Sequence, residues 1–112
     1  MWTKVCHREH LIPESGRAAL VGQQQLALFY LPSIQEQVFA IGNWDPIGKA
    51  FVISRGIVGD IAGQLCVASP LYKQHFQLAT GECIEQKDIQ LPVWKTQWRG
   101  EELWIRMTPK PG

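Results

Sequence analysis

An all-β fold is what the chain predicts, and three features carry that reading. Apolar residues come in short runs or alternate with polar ones, as strands require and long amphipathic helices do not. Ten glycines and seven prolines among 112 residues break those runs at close intervals. The longest stretch of helical character, Pro32–Gln37, covers hardly one turn.

Taken in order, the first candidate strand is Lys4–Cys6. Arg17–Val21 follows the turn-forming Pro13-Glu14-Ser15-Gly16. Gly22 then supplies the positive φ of a hairpin into Leu26–Leu31, which is apolar throughout and so buried on both faces. Val38–Gly42 comes next, and two short apolar strands, Val52–Ile53 and Ile57–Val58, flank Ser54-Arg55. Gln64–Ala68 and His75–Leu78 lead to a glycine turn at Ala79-Thr80-Gly81 and on to Glu82–Glu85. Ile89–Lys95 precedes a last turn at Arg99-Gly100-Glu101. In the final strand, Glu102–Met107, Leu103, Ile105 and Met107 alternate with Trp104 and Arg106 as a half-exposed strand does. Trp94, Trp98 and Trp104 read as core and strand-packing residues. Thr108–Gly112 reads as an unstructured tail. No repeat or linker interrupts the chain, so residues 1–112 form one domain.

Bulk properties exclude several function classes. With 46% apolar and 19% charged residues the chain has the composition of a folded protein. Net charge is +1, and no basic run interleaves with aromatics, so nucleic acid is not an expected partner. No segment nears the roughly 20 apolar residues that span a bilayer. The opening M-W-T-K-V-C-H-R-E-H lacks a signal-peptide core, and a cytoplasmic location follows. Three cysteines, Cys6, Cys66 and Cys83, read as reduced thiols.

Motifs of catalysis are missing. Cys6, His7 and His10 form C-H-x-x-H, which supplies two or three ligands where a structural zinc needs four; a strand end entering a polar loop is the preferred reading. Cys66 lies in an apolar run and reads as a buried small hydrophobe, Cys83 as half-buried. No G-x-S-x-G is present, and Gly56, Gly59 and Gly63 match no nucleotide-binding spacing. No residue is assigned a catalytic role.

Two segments stand out as long loops tied to a β scaffold, Asn43–Ser54 and Ser69–Phe76. The runs F-A-I-G-N-W-D-P-I-G-K-A (Phe39–Ala50) and A-S-P-L-Y-K-Q-H-F-Q-L-A-T-G-E-C (Ala68–Cys83) together resemble the two loops of a Rieske-type domain. That resemblance implies an antiparallel β-sandwich of three sheets, with residues 39–85 as an inserted subdomain whose loop tips hold a two-iron cluster through two Cys and two His. Asn43, Pro46, Pro70, Phe76, Leu78, Thr80 and Gly81 match the family's scaffold. The ligand positions do not. The two Cys positions hold Asp45 and Ser69, and the two His positions hold Ile47 and Tyr72. No cofactor is therefore expected in this chain.

With N-W-D-P, Ser54-Arg55-Gly56 and V-A-S-P-L-Y-K-Q-H-F in this order, the chain resembles the small subunits of NAD(P)H-dependent assimilatory nitrite reductase. The resemblance implies an accessory role beside a large subunit that carries FAD, an iron–sulfur cluster and sirohaem and reduces nitrite to ammonium. Docking candidates are the loop tips, Trp44, Asp45, Ile47, Ser69, Leu71 and Tyr72, with Arg55, Lys73 and His75 nearby. Against docking stands a simpler role: Ile47, Leu71 and Tyr72 fill the space a cluster would occupy, and Arg55 ties its own loop. Two rivals are a free-standing β-barrel module for a peptide or small ligand, and a Rieske-type ferredoxin with atypical ligands.

Overall fold

In a computed structural model, which describes residues 1–35 and 37–109, twelve strands form antiparallel sheets. The strands are β1 (Trp2–His7), β2 (Gly16–Val21), β3 (Gln24–Leu31), β4 (Gln37–Gly42), β5 (Trp44–Asp45), β6 (Ala50–Phe51), β7 (Ile57–Ile61), β8 (Gln64–Ala68), β9 (His75–Gln77), β10 (Val93–Trp94), β11 (Thr96–Arg99) and β12 (Glu102–Arg106). Three sheets have the orders β1-β12-β11, β10-β4-β3-β2 and β7-β8-β9, and β5-β6 is a two-stranded ribbon.

The apolar run predicted to be buried on both faces is the spine of the molecule. Side chains alternate across a strand, so Ala27, Phe29 and Leu31 enter one core while Leu26, Leu28 and Tyr30 enter another. The first core is completed by Ile41, Ile53, Val67, Phe76, Leu78 and Leu91, beneath the β7-β8-β9 sheet. The second is closed by Trp94, Leu103 and Ile105 from the opposite side. All six β3 residues from Leu26 to Leu31 are buried. Each such side chain contributes about 1.5–3 kcal/mol when it is a large aliphatic or Phe.

Several sequence expectations need correction. Val52–Ile53 is not a strand: β6 ends at Phe51, and Ile53–Arg55 make a 3-10 turn that plunges Ile53 into the first core. Glu82–Glu85 contributes only isolated bridges, Phe76 to Cys83 and Glu82 to Gln90. Ile89–Lys95 shortens to Val93–Trp94, because Pro92 has no N–H to extend the ladder and offers only its carbonyl, to Gly42 N. The strands β5, β6 and β11 overlap none of the expected strands. Residues 32–35 of the helix candidate Pro32–Gln37 are turns, Gln37 opens β4, and Glu36 lies outside the described residues. Of the tail, Thr108 and Pro109 are irregular and residues 110–112 lie outside the described residues.

Glycine turns fall where expected, with Gly22, Gly81 and Gly100 at φ of 63°, 83° and 62°. Gly16 is the exception. Its neighbour Glu14 takes the left-handed position, at φ 62°. Gly16 is needed instead for close approach, since a Cβ there would lie 2.2 Å from Ser54 O. Trp94 is buried as predicted. Trp98 and Trp104 are half-buried on their sheet and capped by guanidinium groups, Arg8 at 4.0 Å and Arg99 at 4.1 Å from the ring centres.

Candidate functional site

Asn43 stitches the first loop shut. Its side-chain Oδ1 accepts from Ser54 N at 2.7 Å, and its backbone carbonyl accepts from Ile53 N at 3.2 Å. Both ends of the loop are thus joined at one residue, which is 2% exposed. The next turn is built by Asp45, whose Oδ1 accepts from Ile47 N (2.9 Å) and Gly48 N (3.0 Å). A side chain that mimics a backbone turn in this way is what Asp commonly does after a strand.

The second loop begins at Ser69, held by its N–H to Gln74 O at 2.9 Å. Its hydroxyl donates to Asp45 Oδ2 at 2.5 Å and accepts from Leu71 N at 3.3 Å. Asp45 and Ser69 are both buried, at 0% and 1% exposure. A buried carboxyl left unpaired is costly. Here both oxygens have partners, so the two loops are joined by a satisfied hydrogen-bond chain running Leu71 N–H, Ser69 O–H, Asp45 and the Ile47 and Gly48 amides.

The remaining predicted residues separate clearly. Ile47 is half-buried and packs on the first core. Leu71 closes over Gly48, where a Cβ would lie 2.6 Å from Leu71 Cδ1. Tyr72 does not fill the space between the loops: it is 73% exposed. Lys73, at φ 58°, is exposed beside it. Arg55 is also exposed, and among the described residues its side chain is not tied to its own loop. Trp44 turns outward, its ring 4.8 Å from that of Phe51 across the β5-β6 ribbon.

His75 is engaged behind the second loop. Its Nδ1 lies 2.6 Å from Glu85 Oε2, and its N–H donates to Glu85 Oε1 at 2.8 Å. Partial burial pushes the Glu85 carboxyl up, but these His75 hydrogen bonds outweigh it and hold the group below the usual range. Burial pushes the Cys66 thiol up, and the nearby Glu85 and Asp60 charges add to it. Burial does the same at Cys6, against a smaller opposing effect of Arg17. Neither is a poised thiolate. Cys83, expected to be half-buried, is fully buried at 0% exposure as a member of the first core. At the C-H-x-x-H motif, His10 Nδ1 is occupied by the His7 N–H at 3.1 Å.

A two-iron cluster of this class needs thiolate and imidazole donors. The donor set does not fit: Ile47 has no lone pair, Tyr72 faces solvent, and the oxygens of Asp45 and Ser69 are spent on each other and on backbone amides. Among the described residues no group of three or more His, Cys, Asp or Glu is arranged to hold a metal ion.

Two loops facing each other from one end of an antiparallel sandwich, bonded directly where a cluster would lie, define a Rieske-type scaffold without its metal ligands. Comparison with known proteins agrees. Residues 1–106 match the model of the Rieske-like [2Fe-2S] domain family. The nitrite reductase (NADH) small subunit of Escherichia coli K12 is 42% identical over 105 residues, covering 94% of this chain and 96% of that one. A solution structure of the nitrite reductase [NAD(P)H] small subunit from Erwinia carotovora superposes with a TM-score of 0.80 at 42% identity, over 98% of this chain and 84% of that one. The chain belongs to the Rieske-like domain family and, within it, to the nitrite reductase small subunits. A further relative has a different build. In the nitrite reductase [NAD(P)H] large subunit of Klebsiella oxytoca, a segment 32% identical to 93% of this chain makes up 11% of the polypeptide.

Proposed function

We propose that this chain is the accessory, cluster-free subunit of an NAD(P)H-dependent nitrite reductase. It acts by binding a large subunit that carries FAD, an iron–sulfur cluster and sirohaem and reduces nitrite to ammonium in the cytoplasm. The Asp45–Ser69 hydrogen bond is the observation that carries this reading, because it occupies the loops with protein–protein bonding and leaves them no donors for iron. Electron transfer through this domain is then replaced by a binding role. The Klebsiella oxytoca relative supports the choice of partner, since there a domain like this one is covalently part of the large subunit. No described helix is long and apolar enough to cross a membrane.

Co-expression with the large subunit tests the reading. The two chains should copurify, the isolated small chain should stay colourless after reconstitution with iron and sulfide, and NAD(P)H-dependent nitrite reduction should fall or the large chain should lose stability without it. A chain that takes up a two-iron centre, or that ignores the large subunit at micromolar concentration, overturns it.

A further inference from the structure

Charge is spread unevenly over the molecule. Lys4 is paired with Glu102 and Arg8 with Glu101. Lys49, Arg55 and Lys73 are exposed, and among the described residues their side chains have no hydrogen bond, ion pair or ring contact. Their backbones meet at one end of the fold. Lys49 follows Gly48, where a Cβ would lie 2.6 Å from Leu71 Cδ1, and Lys73 donates its N–H to Leu71 O. Arg55 precedes Gly56, where a Cβ would lie 2.4 Å from Ala68 O, next to Ser69.

No free carboxylate offsets them there. From Pro46 to Gly81 the sequence has one, Asp60. It lies opposite Leu65, toward the turn of the β7-β8 hairpin, whereas the three cations gather where Ile57 meets Ala68. Asp45 is buried and bonded to Ser69, and Glu85 is held by His75. Lys49 and Lys73 share a left-handed backbone, at φ 57° and 58°. Glycine takes that conformation at no steric cost; in both loops a cation stands there instead. Tyr72, 73% exposed, adds an aromatic side chain beside Lys73. The hydrogen bonds of Asn43, Asp45 and Ser69 fix these loops in advance, so little ordering is left for binding.

We propose that the Lys49–Arg55–Lys73 end, with Tyr72, docks on a carboxylate-rich face of the large subunit; this rests on the nitrite reductase reading. Unneutralised cations attract an acidic surface and repel a basic one, so they set the chemistry of the partner's face. The cations steer association, and Tyr72, once covered, slows dissociation.

The test measures association and dissociation of the purified large subunit with the full chain and three variants. Lys49→Glu, Arg55→Glu and Lys73→Glu together should slow association at least tenfold at low salt. That difference should shrink as salt rises to about 1 M, where the screening length is about 3 Å. Lys87→Glu, Lys95→Glu and Arg106→Glu together make the same change in net charge elsewhere and should stay within about threefold of the wild type. Tyr72→Ala should speed dissociation about tenfold. If the wild type binds and the first triple variant associates as fast, or both triple variants slow equally, the docking proposal is overturned while the nitrite reductase reading stands. If the wild type does not bind, that reading fails and the proposal with it. Should the first triple variant not fold, Lys49→Gln, Arg55→Gln and Lys73→Gln together replace it: slower association at low salt supports the proposal, and an unchanged rate overturns it.

Discussion

Ser69 donates its hydroxyl proton to Asp45 across 2.5 Å, and the two residues are 24 positions apart in the chain. One short side-chain bond thus joins the two loops, between the positions at which the Rieske-type pattern has its two cysteines. Its consequences for stability are direct.

Ser69→Ala removes the donor and leaves Asp45 Oδ2 buried without a partner. A loss of about 1–3 kcal/mol is expected, or a fall in Tm of roughly 4–8 °C for each kcal/mol. Asp45→Ala strands the Ser69 hydroxyl and two backbone amides and should cost at least as much. A double-mutant cycle by urea unfolding should find the two losses strongly non-additive; simple additivity means the bond contributes nothing of its own.

The glycines make a matched set. At Gly81 a Cβ would lie 2.0 Å from Leu91 O, on a backbone with φ of 83°. Gly81→Ala should therefore destabilise by more than the roughly 1–3 kcal/mol of an unfavourable backbone conformation alone. At Gly59 nothing lies within 4 Å of an added Cβ, so Gly59→Ala in β7 should be nearly neutral. Chemical denaturation of both variants checks the contrast.

Acid should release the His75–Glu85 link. Glu85 titrates below the usual range in the folded chain, with burial opposing and the His75 hydrogen bonds dominating. A depressed carboxyl contributes stability in full above its unfolded pKa of about 4.3, and that contribution is lost as pH falls through the folded value. The gap in urea midpoint between wild type and Glu85→Gln should close as pH falls below about 4.3. A gap that persists unchanged to pH 2 rules the link out as its source.

How much of this could be read without coordinates differs from residue to residue. The run Leu26–Leu31 announced a strand with two buried faces, because nothing in it can face water. The loss of ligands was equally plain, since it depends on residue type alone. What replaced them was not. The bond from Asp45 to Ser69 joins distant segments, and neither local pattern points to the other. Ile47 and Tyr72 each admit a space-filling role beside a docking one, the tyrosine less readily because its hydroxyl needs a partner, and in the fold Ile47 packs inward while Tyr72 faces solvent. Phe51 was assigned to no role. An Ala-Phe-Val-Ile run reads as core, but the ribbon carries Phe51 outside both cores while Ile53 goes in.

Strand β1 lies against β12, with Trp2 opposite Arg106 and His7 opposite Glu102. The strand earliest in this fold is thus paired with the one latest in it, and such long-separation pairing is slow to form. Until it forms, β1 is an edge open to strand pairing with another chain.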